Sequence, residues 1–248
     1  MTLWVRKLQT KVVNFYGGFT LISCSDLKMS IDLLGLLMPR YCVVCNQVVW
    51  GEYERFFCLS CYSSMPFSRG GRLEDYLGKR MSVERAFSLL EYTKGSGFAE
   101  VFKEIKYRDN AELALFMGKL MGYKLLALGW PRGLTFIPVP MSRWKKLRRG
   151  YNQAELLARG VSQVMGGSLE LKLLTKSSNT VSQTLMGRWE RWLNSKGIYA
   201  VIEGMKLAPN IVLVDDIVTT GATIDSCRMM LQRHYDVKVW VVSLGFTP

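Results

Sequence analysis

The chain has 248 residues, 49% of them hydrophobic and 21% charged, which suits one medium α/β domain with a small appendage and argues against wholesale disorder. Its net charge is +13, and residues 141–196 hold eleven Lys or Arg against three Glu, a located patch that favours nucleic acid or phosphate-rich small molecules. A single histidine, His234, leaves no inventory for a His-centred triad or a His-rich metal site.

No run of 18 apolar residues appears, so no membrane span is expected. The first 25 residues lack a continuous apolar core followed by a small-residue cleavage site, so they read poorly as a signal peptide and the cytoplasm is the expected compartment. There, paired cysteines suggest metal rather than disulfides.

Residues 1–35 read as an N-terminal extension, with no clean period in 1–28 and a short apolar piece from Ile31 to Met38. Residues 36–68 form a compact module with the spacing Cys42-x2-Cys45-x12-Cys58-x2-Cys61. Each pair sits on a tight turn, and four thiolates match a tetrahedral structural Zn²⁺ with no open position for catalysis. Trp50, Tyr53, Phe56 and Phe57 can cover such a site. Cys24 and Cys227 have no partner spacing.

Residues 69–84 are polar and Gly-rich and read as a linker or edge loop. Residues 85–248 then alternate strands and helices. Strands are expected at 86–92, 134–139, 210–215 and 237–246, and helices at 98–107, 111–128, 153–165 and 222–234. Residues 168–175 read as a strand or strand–helix junction, 176–184 as a polar loop, and 185–196 as a basic helix. Strands that are nearly all apolar and alternate with helices imply a doubly wound, mainly parallel sheet.

The basic run follows Pro138-Val139-Pro140, with five cations in the eight residues 142–149. Arg143, Lys145, Lys146, Arg148 and Arg149 can line a pocket mouth where a diphosphate needs countercharge, or they can be a solvated helix face. Asn152 and Gln153, and later Arg188 and Arg191, extend this polar set. Trp144, Tyr151, Trp189 and Trp192 are interleaved with the charges; bases stack and phosphates pair on such surfaces, although each aromatic could equally be core.

The strongest chemical signal is the string IVLVDDIVTTGAT, residues 211–223. Strand, acidic pair, small polar loop and helix follow in order. Ligands of open α/β sheets bind outside the carboxyl ends of strands, and helix N-termini hold phosphate through free backbone N–H groups. Gly221 allows close backbone approach, Ala222 follows it in the loop, and Thr219, Thr220 and Thr223 add hydroxyl donors. Asp215 and Asp216 repel phosphate and suit vicinal hydroxyls or a magnesium-bound sugar instead. A Walker loop needs a Lys after the glycine, and none is present.

This string closely resembles the phosphoribosyl pyrophosphate motif of type I phosphoribosyltransferases. The resemblance implies that Asp215 and Asp216 meet the ribose 2′ and 3′ hydroxyls, that residues 219–223 surround the 5′-phosphate, and that Mg²⁺ comes with the diphosphate. From about residue 36 the whole chain resembles the ComF (ComFC/GntX-like) family, through MPRYCVVC, the second Cys pair, IPVP, RRGYNQAELLA, the SQ…R…R…N segment and VLVDDIVTTGAT. It departs from that pattern at Ser142 and in the stretch TLMGRWE.

That resemblance implies a role in DNA uptake and natural transformation, with single-stranded DNA and DNA-uptake machinery proteins as partners. A salvage phosphoribosyltransferase and a non-enzymatic single-strand-binding adaptor remain the alternatives. No segment reads as a hood for clamping a nucleobase, and the cysteine module stands where one could sit.

Overall fold

The computed structural model describes residues 39–49, 55–108, 110–176 and 199–247. Among these the elements run β1 (Arg40–Tyr41), β2 (Val48–Val49), α1 (Leu59–Ser63), α2 (Arg72–Gly78), β3 (Ala86–Glu91), α3 (Ala99–Tyr107), α4 (Ala111–Ala127) and β4 (Thr135–Pro138). They continue with α5 (Arg143–Arg149), α6 (Gln153–Met165), β5 (Ser168–Leu169), β6 (Leu174–Lys176), β7 (Tyr199–Val201), β8 (Asn210–Val218), α7 (Ala222–His234) and β9 (Lys238–Phe246).

Successive side chains of a strand point to opposite faces. In β8 Ile211 and Leu213 join one core while Val212 and Val214 join the other, and all four are fully buried. A strand covered on both faces needs a layer of helices on each side. Val101, Phe102 and Ile105 of α3, Leu113 and Met117 of α4, and Leu157 and Val161 of α6 supply one layer. Leu73 and Leu77 of α2 with Ile224, Cys227 and Leu231 of α7 supply the other. The five strands lie in the order β3-β9-β8-β4-β5, and every pairing is parallel. This is the doubly wound sheet that the alternation of elements implied.

Helix α6 shows why the local sequence folds as it does. Asn152 caps its start by accepting from the Ala154 amide, Gly166 ends it in the left-handed region at φ 68°, and the apolar residues between recur on one face. Helices α4 and α6 pack glycine against backbone, since a β-carbon on Gly118 or Gly160 would run into the opposing helix.

Three segments differ from the expectations. Residues 69–84 are not simply a loop: Arg72–Gly78 form α2, with Leu73 and Leu77 one turn apart and buried. Strand β8 does not stop at Asp215 but runs to Val218, because β9 keeps pairing with it as far as Val218 opposite Phe246. Residues 168–176 hold two short strands, and the second, β6, pairs antiparallel with β7. Residues 1–35, most of the loop expected at 176–184 and the basic helix expected at 185–196 lie outside the described residues.

The cysteine segment packs on the same core. Phe56 and Phe57 are buried against Phe116 of α4, with ring centroids 5.2 and 6.2 Å apart respectively.

Candidate functional site

Sheet order locates the crevice. From β4 the chain crosses through α6 to β5 on one side, and from β8 it crosses through α7 to β9 on the other. The loops leaving the carboxyl ends of β4 and β8 therefore diverge, and such a switch point is where open sheets bind ligands. Pro138 lies beside Val214, and the Val139 amide donates to the Val214 carbonyl at 2.8 Å, so the Pro-Val-Pro turn and the acidic pair start side by side.

Asp215 and Asp216 sit just beyond that last cross-strand bond. Each carboxylate accepts from the next amide: Asp215 Oδ1 from the Asp216 N–H at 2.8 Å and Asp216 Oδ1 from the Ile217 N–H at 2.7 Å. Lys106, near the end of α3, reaches in and places Nζ 3.1 Å from Asp216 Oδ2, with both side chains largely buried. Burial pushes the Asp215 carboxyl well above the usual carboxylate range, and the neighbouring Asp216 charge pushes it further; the Asp216 amide and Lys106 only partly oppose this. Burial and Asp216 thus disfavour a second negative charge beside the Lys106–Asp216 pair.

Residues 219–223 follow at once. Thr219 and Thr220 are exposed, and Gly221 is buried at φ 79° as the residue that starts α7. Gly221 itself offers no side-chain cap; the Ala222 amide donates to Thr220 Oγ1 at a long 3.4 Å, and the amides that follow keep their capacity for an anion. A β-carbon on Gly221 would lie 2.8 Å from Leu77 Cδ2 and 3.0 Å from Met81 Cε. Helix α2, not the cysteine module, is therefore the element against this loop.

The basic run forms α5, capped by Ser142, whose hydroxyl accepts from the Lys145 amide. Its cations divide. Lys146 pairs with Glu155 at 3.6 Å. Arg149 turns inward, donating to Gln153 Oε1 and lying 5.3 Å from the Tyr107 ring. Arg143, Lys145 and Arg148 are exposed and have no ion-pair partner among the described residues. Trp144 and Leu147 stand out between them, each 79% exposed.

Asn152 and Gln153 correct the expectation of an outward contact. Both are buried: Asn152 donates to the Val139 carbonyl and caps α6, while Gln153 donates to the Ile105 carbonyl. They tie the β4 turn and α3 to α6. Arg188 and Arg191, with Trp189 and Trp192, lie outside the described residues.

Three side chains near the site carried no signal in the sequence. Besides Lys106 these are Lys176 on β6 and Tyr199 on β7, with Lys176 Nζ 3.3 Å from the Tyr199 hydroxyl. Burial lowers the Lys176 pKa, Lys145 lowers it further, and Asp215 acts the other way. Burial pushes the Tyr199 phenol up, and the nearby Thr223 side chain draws it part of the way back. These neighbours bring β6, β7, α5 and the start of α7 to one place.

The four cysteines converge. The β1–β2 turn closes through the Cys42 amide to the Gln47 carbonyl and the Asn46 amide to the Cys42 carbonyl, with Asn46 at φ 59°. Cys58 caps α1, its sulfur accepting from the Cys61 amide. All four Sγ atoms lie within 4.8 Å of one another, and Cys45 and Cys58 approach to 3.7 Å. A tetrahedral ion with metal–sulfur bonds of about 2.3 Å places sulfurs about 3.8 Å apart, so the cluster fits one such ion. Burial pushes the Cys42 thiol up, but backbone N–H groups at Cys45, Cys58 and Val44 outweigh it and bring the thiol down to about 7.

Sheet, switch-point loop and cysteine cluster together define a doubly wound α/β protein with an attached module of four cysteines that could hold a metal ion. No family model matches the chain. DNA utilization protein YhgH of Salmonella typhi is 25% identical over 213 residues, covering 80% of this chain and 88% of that protein. Competence protein F of Haemophilus influenzae is 29% identical over 110 residues, covering 43% of this chain and 48% of that one.

Competence protein ComFC of Bacillus subtilis is 27% identical over 143 residues, 57% of each chain. Among solved structures, the glutamine phosphoribosylpyrophosphate amidotransferase of B. subtilis aligns over 58% of this chain and 30% of its own, at 15% identity and a TM-score of 0.42. The chain is thus similar to proteins named for DNA utilization and competence, in line with the resemblance its motifs carry. Among the described residues no helix is long and apolar enough to cross a membrane.

Proposed function

We propose that the crevice between β4 and β8 binds phosphoribosyl pyrophosphate or a related ribose 5-phosphate ligand, and that the protein acts in DNA uptake by handling single-stranded DNA in the cytoplasm. The observation that carries the reading is one of placement. An acidic pair and a helix start capped only by one long bond from the Ala222 amide to Thr220 succeed each other on one strand end, across the switch point from exposed cations. A ribose phosphate offers hydroxyl donors at one end and an anion at the other, in the same order.

In this reading Asp215 and Asp216 accept from the ribose hydroxyls, and Lys106 holds Asp216 in place. Amides and hydroxyls of residues 219–223 take the 5′-phosphate, while Arg143, Lys145 and Arg148 face the diphosphate. Mg²⁺ would arrive on the diphosphate and neutralise it, and a cation brought by the ligand would let Asp215 ionise beside Asp216. The chemistry available is phosphoribosyl transfer, in which positioning and electrostatics dominate. The four cysteines hold a structural Zn²⁺, with no coordination position left for chemistry.

The single-strand half of the reading rests on exposed Trp144 between unpaired cations, a surface on which a base can stack while phosphates pair. Relatives named for DNA utilization and competence support it.

Calorimetry with Mg²⁺ and phosphoribosyl pyrophosphate tests the pocket. Saturable binding to the wild type that disappears in Asp215→Ala/Asp216→Ala is expected; equal binding by both proteins, or none by either, refutes it. One observation favours the adaptor reading, namely that Lys106 already neutralises Asp216. Absence of ligand binding together with retained binding of single strands selects it.

A further inference from the structure

Outside the crevice, a cavity of about 380 Å³ opens between α2 and the end of β9. Arg72, Asp75, Tyr76, Lys79, Arg80 and Phe246 line it. Its back is a stack. The Tyr76 ring lies 5.1 Å from the Phe246 ring, and the Arg80 guanidinium sits over Tyr76, 3.7 Å from the ring centroid. Arg80 is also pinned by donating to the Tyr76 carbonyl at 2.9 Å. A surface arginine ordinarily sweeps many rotamers; this one is held over an aromatic ring before any ligand arrives, which removes part of the ordering cost of binding.

The charges around it are not self-satisfied. Arg72 pairs with Glu91 at 2.8 Å, but Lys79 and Asp75 have no ion-pair partner among the described residues. The cavity therefore offers a planar cation for stacking, an ammonium for a phosphate, and a carboxylate that can accept from an amino group. Those three features match one ligand class, a nucleobase that carries an exocyclic amine and a neighbouring phosphate.

Position selects the strand over the free nucleotide. Phe246 closes β9 directly beside Val218, the last residue before the Thr-Thr-Gly loop, and Leu77 on the same helix as Tyr76 packs on Gly221. In the sheet order β3-β9-β8-β4-β5 the cavity stands at the β9 end, the phosphate loop at β8, and the cationic helix with Trp144 after β4. All three lie along the carboxyl edge of one sheet. A polynucleotide crossing that edge meets a stacking position on each side of the phosphate loop.

We infer that the Tyr76–Arg80–Phe246 cavity is a base-binding subsite for single-stranded DNA, with Lys79 on the adjoining phosphate and Asp75 favouring cytosine, adenine or guanine over thymine. This rests on the single-strand half of the function proposed above.

Fluorescence anisotropy of labelled 15-mers of dC, dA and dT on the full chain tests it, with thermal unfolding as a fold control. Arg80→Ala is expected to weaken dC and dA binding about five-fold or more, the range of a lost base stack. Lys79→Ala should lower the slope of log K against log salt by about 0.7, one phosphate contact. Asp75→Asn should narrow the preference for dC over dT without altering that slope.

If Arg80→Ala proves unstable, photo-crosslinking of a 5-iodocytosine oligonucleotide to the wild type replaces it, and the labelled peptide must contain Tyr76. Wild-type binding with Arg80→Ala unchanged, or crosslinks confined to residues 142–152, overturns the subsite alone. No wild-type binding at low salt overturns the subsite and the single-strand reading together. Free dCMP binding as tightly as the 15-mer overturns the assignment to a strand.

Discussion

Gly221→Ala probes the contact on which the candidate phosphate loop rests. Gly221 has φ 79°, a region where a β-carbon costs about 1–2 kcal/mol. The new methyl would also meet Leu77 Cδ2 at 2.8 Å and Met81 Cε at 3.0 Å. Met81 is half-buried and ends in a flexible methyl, so it can give way; Leu77 is fully buried and cannot. Overpacking of this kind costs about 1–3 kcal/mol, for a combined loss of about 2–5 kcal/mol.

For a chain of this length the midpoint of thermal unfolding should fall by about 4–20 °C, read by calorimetry or circular dichroism. Leu77→Ala in the same background should cost less than its separate effect predicts, because it vacates the space the methyl needs. A fall under about 1 °C, or strict additivity of the two substitutions, refutes the packing of α2 on the loop.

Three further outcomes are expected. Asp215 has its folded pKa raised above the ordinary value of about 3.9, so the folded state holds the proton more tightly and stability falls as pH rises from there through the raised value. Asp215→Asn should therefore unfold at a higher temperature than wild type at pH 7, with the gap closing towards pH 3; a destabilised variant with an unchanged pH profile contradicts this. Elemental analysis should find about one zinc per chain, and chelation should lower the unfolding midpoint because the metal site anchors Phe56 and Phe57 on α4; an unchanged midpoint after metal removal refutes the structural role. Asn152→Ala removes a helix cap, at about 1 kcal/mol, and a bond to the Val139 carbonyl, so the midpoint should drop by several degrees; no drop contradicts the tie between α6 and the β4 turn.

What the sequence disclosed follows from how local each signal is. Helix α6 was legible to the residue because its cap, its apolar face and its terminal glycine are all contiguous. The cysteine cluster was legible because a two-residue spacing already dictates the turn that aims both sulfurs. Helix α2 was hidden: Gly70, Gly71 and a charged surface dominate its window, and two leucines one turn apart are a faint trace of a helix.

The continuation of β8 past Asp215 depends on its neighbour β9, which lies beyond α7 in the chain. Lys106, Lys176 and Tyr199 enter from three separate elements, and proximity across the fold leaves no pattern along the chain. Gln153 misled in the opposite way: its polarity suggested a ligand, yet burial turns it to the Ile105 carbonyl.

The central claim is that residues 219–223 hold a 5′-phosphate while Asp215 and Asp216 hold the ribose. A crystal structure of the full chain grown with Mg²⁺ and phosphoribosyl pyrophosphate tests it directly. The account predicts phosphate density against the first amides of α7 and ribose hydroxyls within hydrogen-bond distance of both carboxylates. An empty crevice at saturating ligand, or ligand bound elsewhere with Lys106 and Asp216 still paired, would contradict it.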